Sequence, residues 1–219
     1  MLSSLLLRPC AYRILSQEGA FDEAIKGVDA IVHPASPVTD KGEDPTQLIV
    51  PAVQGTVGIL ASALKHGPSV KRIVVTASIG SVHEFIPEPK VYSETDWNDL
   101  AVHEVETKGA AAAPLSMYCA SKTLAERAAW AFWETHKAEV GWDLVVLHPS
   151  YVFGPSVLNV EKPEKLAASM RVFYDAIFGG AYDHETLATF GSVGLKLHSS
   201  CTRLIDVHGL HSVGILILL

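Results

Sequence analysis

Short, almost continuous apolar runs, spaced by long helix-forming stretches, constrain this chain more than any other feature. Residues 28–33, 70–76 and 143–147 each hold a core of β-branched or aliphatic side chains, and each ends in a polar or turn-forming segment. A strand that is apolar along its whole length is expected to be covered on both faces, as parallel strands are. Residues 46–66 and 115–140 are rich in helix formers and long enough to carry the chain back across a sheet. This alternation predicts an α/β fold with a parallel sheet and right-handed crossovers. A short helix is expected over residues 19–27. The helix over residues 46–66 should kink near Pro51 and end at Gly67-Pro68. Residues 86–114 read as an irregular surface excursion. A helix over residues 163–178, stopped by Gly179-Gly180, and a short strand over residues 203–207 complete the expected elements. The apolar tail, residues 214–219, reads as a core element.

At 219 residues and 48% hydrophobic content the chain can bury a sizeable core, and its mean hydropathy of +0.24 is on the apolar side. A net charge of -7 and the lack of a basic stripe argue against a nucleic-acid surface. Cys10, Cys119 and Cys201 are scattered and odd in number, which predicts no disulfide framework and a reducing, cytoplasmic setting. The histidines show no metal-ligand spacing; His208 and His211 lack a third ligand, so no metal is expected. The first eight residues do not form a leader, and the apolar tail is too short to span a bilayer, so no membrane partner is expected.

The chemistry is concentrated in Met117-Tyr118-Cys119-Ala120-Ser121-Lys122. In a helix, positions four apart share a face, so the Tyr118 phenol and the Lys122 ammonium point into the same space. A neighbouring positive charge favours the phenolate, and Lys122 is therefore expected to lower the Tyr118 pKa. Taken alone, the spacing fits a packed tyrosine beside a solvated lysine better than a catalytic pair. The flanking strands add to it. Thr76-Ala77-Ser78 follows one strand and His148-Pro149-Ser150 follows the next, so both deliver polar groups at carboxyl ends, where open α/β sheets bind ligands.

That order of strand-Ser, helix-Tyr-Lys and strand-Pro-Ser resembles the short-chain dehydrogenase/reductase superfamily. It is most similar to the extended branch of NAD-dependent epimerase/dehydratase relatives, with dihydroflavonol reductases and fungal ketone and aldehyde reductases. His33-Pro34-Ala35-Ser36-Pro37-Val38, Glu94-Thr95-Asp96-Trp97-Asn98 and Ala125-Glu126-Arg127-Ala128-Ala129-Trp130 carry the likeness further, over roughly residues 19–207. The resemblance implies a Rossmann-like domain over residues 11–155 and the start of a substrate-binding lobe over residues 156–219. It implies reduction of a ketone or aldehyde carbonyl with NADP(H), or NAD(H), as hydride carrier. Tyr118 would donate the proton, Lys122 would hold the nicotinamide ribose, and Ser78 would hydrogen-bond the substrate oxygen. His33, Ala35, Ser36 and Pro37 would line the ribose. Pro149, Ser150 and Val152 would face the carboxamide. The resemblance gives His148 no role. A small carbonyl or alcohol is the implied partner, and a homodimer through the two long helices is implied by analogy.

The sequence departs from that family in several places, among them Ala77 where the family has a serine and Ile14 where it has an acidic residue. No GxxGxxG turn is present, since Gly55-Thr56-Val57-Gly58 falls inside the helix over residues 46–66. The expected fold therefore lacks its first strand-helix-strand unit and keeps only a stub of the second lobe. His208-Gly209 also replaces the pair expected after Asp206-Val207. Two other readings stay open: a sugar-nucleotide epimerase or dehydratase, although Ile79 and Gly80 offer no carboxylate beside Ser78, and a non-catalytic fragment that acts by binding alone.

Overall fold

The sheet begins with β1 (Ala30–His33), where Ile31 and His33 point into the core and Ala30 and Val32 toward the other face. The structure is a computed structural model and describes residues 16–37, 44–86, 90–152, 160–166, 168–179 and 215–217. Ahead of β1 lies α1 (Asp22–Ile25), and after it α2 (Thr46–His66). β2 (Arg72–Thr76) pairs in parallel with β1, bringing His33 opposite Val75. α3 (Asp99–Lys108) and α4 (Pro114–His136) lead to β3 (Asp143–Leu147), which pairs in parallel with β2. The strand order is β3-β2-β1-β4, in which β4 (Ile215–Ile217) lies parallel to β1. The parallel α/β sheet expected from the alternation is present. The expected strand over residues 203–207 lies outside the described residues.

Two compact units make up the chain: Met1–His148 with Val207–Leu219, and Pro149–Asp206. In the first, Ile31, Ile73 and Leu144 project from one sheet face onto Ile25, Ile59, Leu60 and Ala129. Each fully buried Leu, Ile or Phe is worth about 1.5–3 kcal/mol relative to exposure. A second cluster packs Leu48 of α2, Val102 and Val105 of α3, and Met117 and Ala120 of α4. α2 is long and apolar enough to cross a bilayer by length and composition. Here it is a core helix, with Ile59 and Leu60 fully buried. Across the β2–β3 seam Arg72 pairs with Asp143 through two bonds of 2.8 and 2.5 Å.

The excursion expected over residues 86–114 contains a helix, α3. Asn98 caps it by accepting the Ala101 N–H at 3.0 Å, and Ala101, Val102 and Val105 supply a narrow buried stripe. So thin a stripe on an otherwise polar segment gives almost no periodic signal. Glu104 then fixes the start of α4: it accepts the Ala113 N–H at 3.2 Å and the Ser116 hydroxyl at 2.6 Å. These bonds, with Lys108, hold its carboxyl down to about 2. α4 itself ends at His136, short of the expected residue 140.

In the second unit the helix expected over residues 163–178 is divided. A single 3-10 turn, Pro163–Lys165, is followed by extended backbone at Leu166, and α5 runs over Ala168–Ile177. Gly179 stops it as expected, its N–H bonding the Asp175 carbonyl at 3.1 Å.

Candidate functional site

Parallel pairing places the carboxyl ends of β1, β2 and β3 side by side, with His33 opposite Val75 and Thr76 opposite Leu147. The pairing continues one residue further, where the Ala77 N–H donates to the Leu147 carbonyl at 2.9 Å. Ser78 follows in extended backbone and caps the turn Ile79–Ser81 by accepting the Gly80 N–H at 3.1 Å. Gly80 lets the turn pack close to α4, because a Cβ there would lie 2.9 Å from the Cys119 sulfur and force a shift. Thr123 donates to the Ser81 carbonyl at 3.3 Å from one side. Asn98 donates to the carbonyls of Gly80 and His83 at 3.0 and 2.7 Å from the other. Thus the loop carrying Ser78 is pinned against the helix that carries Tyr118 and Lys122.

Ser78 is buried at 9% exposure and Lys122 at 7%, while Tyr118 is partly buried. Burial raises the Tyr118 pKa above its ordinary value, and the hydrogen-bonding Ser78 side chain pulls it back down. Lys122 does not lower it as the sequence predicts. The Lys122 Nζ lies over the phenol ring, 5.9 Å from its centroid, and burial is the largest influence on the phenol. Lys122 is itself pushed down to about 8 by burial, and among the described residues it has no ion pair. Of this pair it is the amine, not the phenol, whose pKa is lowered.

His33 closes the site from β1. It is 2% exposed, its Nδ1 has no hydrogen-bond partner among the described residues, and burial followed by the Lys122 charge lowers its pKa to about 4. His33, Ala35, Ser36, Thr56, Lys122 and Glu126 are among the residues around a cavity of about 10 Å³, room for a single water. Pro37 is partly buried nearby in sequence but does not line it. Pro149, Ser150 and Val152 belong to the second unit; the first two are partly buried and Val152 is 66% exposed.

The structure adds residues that the sequence reading passes over. Glu126, one turn beyond Lys122 on α4, is only 3% exposed. His148 Nε2 lies 2.8 Å from both of its oxygens, and Trp130 Nε1 donates to one of them at 3.4 Å. The i, i+4 spacing of Lys122 and Glu126 was a usable signal. His148 gave none, since its partner is far away in sequence.

The profile of the NAD dependent epimerase/dehydratase family matches residues 8–176. The ketoreductase azaE of Aspergillus niger is 37% identical over 75% of this chain and 48% of its own length. A dihydroflavonol 4-reductase of Arabidopsis thaliana is 36% identical over 78% of this chain and 44% of its own. Among solved structures, Gre2 of Candida albicans in complex with NADPH superimposes with a TM-score of 0.63 at 27% identity, over 72% of this chain and 47% of that one. The chain spans about half the length of the curated relatives it matches. A parallel sheet with Ser78, Tyr118 and Lys122 at its carboxyl end and a family match across most of the described fold lead to one conclusion: the chain belongs to the NAD dependent epimerase/dehydratase family.

Proposed function

We propose that this chain carries the proton-delivering part of an NADP(H)-dependent reductase of ketone or aldehyde carbonyls, with NAD(H) as the second choice of nucleotide. One observation carries the reading: Ser78 interacts with the Tyr118 phenol while a buried Lys122, lacking a counter-ion among the described residues, stands beside the ring. A buried amine without a partner costs free energy unless a ligand hydroxyl or anion completes it. The unpartnered Nδ1 of His33 is a second atom that a bound ligand could satisfy. These donors fit a nicotinamide nucleotide, which when bound supplies the hydride.

In this scheme Ser78 hydrogen-bonds the carbonyl oxygen and stabilises charge as it develops. Tyr118 gives its proton to that oxygen; its raised pKa keeps the proton on the phenol at neutral pH until it is needed. Lys122 holds the nucleotide ribose through its buried amine. His33, Ala35, Ser36 and Pro37 would flank the ribose. For Pro149, Ser150 and Val152 a part in holding the nicotinamide rests on resemblance alone.

Titration of NADPH fluorescence against the purified chain and a Lys122→Ala control tests the reading. Saturable binding lost in the control is expected, followed by turnover of some member of an aldehyde and ketone panel. Tyr118→Phe should then lower kcat by about 10²–10⁴-fold, the usual contribution of a positioned general acid. A folded chain that binds no nucleotide would reject the proposal.

A further inference from the structure

Glu126 and Lys122 are natural partners by position. They are one turn apart on α4 and line the same small cavity, and a lysine and a glutamate at this spacing ordinarily attract. Both are nearly inaccessible, at 3% and 7% exposure, where an ion pair is screened little by solvent. Yet they are not paired: both Glu126 oxygens face His148 Nε2 at 2.8 Å, and Trp130 Nε1 approaches the same carboxylate at 3.4 Å. The His148 ring sits at the end of β3, 20% exposed, and reaches across to α4.

We propose that His148 is a positioning residue that engages Glu126 and so keeps the carboxylate off Lys122, leaving the amine free for a ligand. Two partners compete for one carboxylate, and the geometry shows which one holds it. An ion pair with Glu126 would consume the Lys122 charge and stabilise the ammonium; its absence leaves burial as the dominant influence on the amine. The other groups bearing on this amine are His33 from β1, whose neutral form adds no charge, and the Tyr118 phenol on α4 itself. Arg127, the next residue on α4, is occupied with Asp99 at 2.6 Å and does not enter the competition. The significance of a free Lys122 rests on the reductase reading above, but the competition itself does not.

The test follows the Lys122 Cε resonance by NMR through a pH titration of the purified chain without nucleotide. The resonance is assigned by its loss in Lys122→Arg. His148→Leu removes the competing donor and should raise the Lys122 midpoint by at least one pH unit. His148→Gln, which can still donate to the carboxylate, should leave it near the wild-type value. His148→Leu combined with Glu126→Gln should bring it back. An unchanged midpoint in folded His148→Leu overturns the proposal. So does Glu126→Gln alone lowering the midpoint by a unit or more, since the carboxylate would then already act on Lys122; this arm decides the matter even where His148→Leu fails to fold. Failure of NADPH to bind would sink the reductase reading without touching these midpoints.

Discussion

The two ends of the Tyr118–Glu126 stretch of α4 are built on opposite terms. At the amino-terminal end, Tyr118 and Lys122 are withdrawn from water with little to compensate them. At the carboxyl-terminal end, Glu126 is buried still more deeply but is bonded by His148 and Trp130. A buried charge with its partners is a structural joint, here tying α4 to the end of β3. A buried charge without partners lowers stability and is retained where a ligand is to complete it. The same helix thus supplies both the support and the unsatisfied group, and substitutions should tell the two ends apart.

The largest effect is expected at the paired end. Glu126→Ala leaves His148 and Trp130 without their acceptor inside the fold and should destabilise by about 3–5 kcal/mol in denaturant unfolding. A loss below 1 kcal/mol would erase the contrast. At the other end the sign should reverse. Lys122 titrates at about 8 in the fold against an ordinary value of 10.5, so the fold binds its proton more weakly than the unfolded chain. Its cost is fully present below about pH 8 and disappears as pH rises through 10.5. Lys122→Met should therefore stabilise the chain at pH 7 by up to about 3 kcal/mol, and the gain should vanish by pH 10.5.

His33 should give a smaller effect, confined to acid. Its value of about 4 in the fold lies below the ordinary 6.5, so its contribution is intact above pH 6.5 and is lost as pH falls through 4. Near pH 5 it should account for about 2 kcal/mol of lost stability, and His33→Gln should flatten that part of the profile. The smallest change belongs to Tyr118→Phe, which removes one hydroxyl and its bond with Ser78. Its unfolding free energy should stay within about 1 kcal/mol of wild type, whatever becomes of activity.

Much of the frame was legible because it is written in long, strong patterns. The β2 and β3 runs are dominated by Ile, Val and Leu, and α2 begins and ends where the residues 46–66 pattern does. α3 escaped notice because three buried residues among polar neighbours make a weak stripe. The helix expected in the second unit divides at Leu166, where a local backbone choice leaves no mark on the hydrophobic pattern. In the site, Tyr118 and Lys122 were readable from spacing, but the direction of the phenol's pKa was not. It depends on how far each group is withdrawn from water and on whether the amine meets the ring or the hydroxyl. The Glu126–His148 bond was invisible for a related reason: it joins a helix to a strand end, and no local rule links the two.

The seam between β1 and β4 has a consequence for how the molecule is made. β4 pairs residue 215 with residue 30, so the chain must close a very long loop to form it. Such a loop costs little more than a moderate one at equilibrium, but long-range pairing of this kind slows folding. During synthesis from the ribosome β1, β2 and β3 emerge well before β4. Until residues 215–217 arrive, Ala30, Ile31 and Val32 wait for that pairing partner, so this seam is among the last parts of the sheet to close.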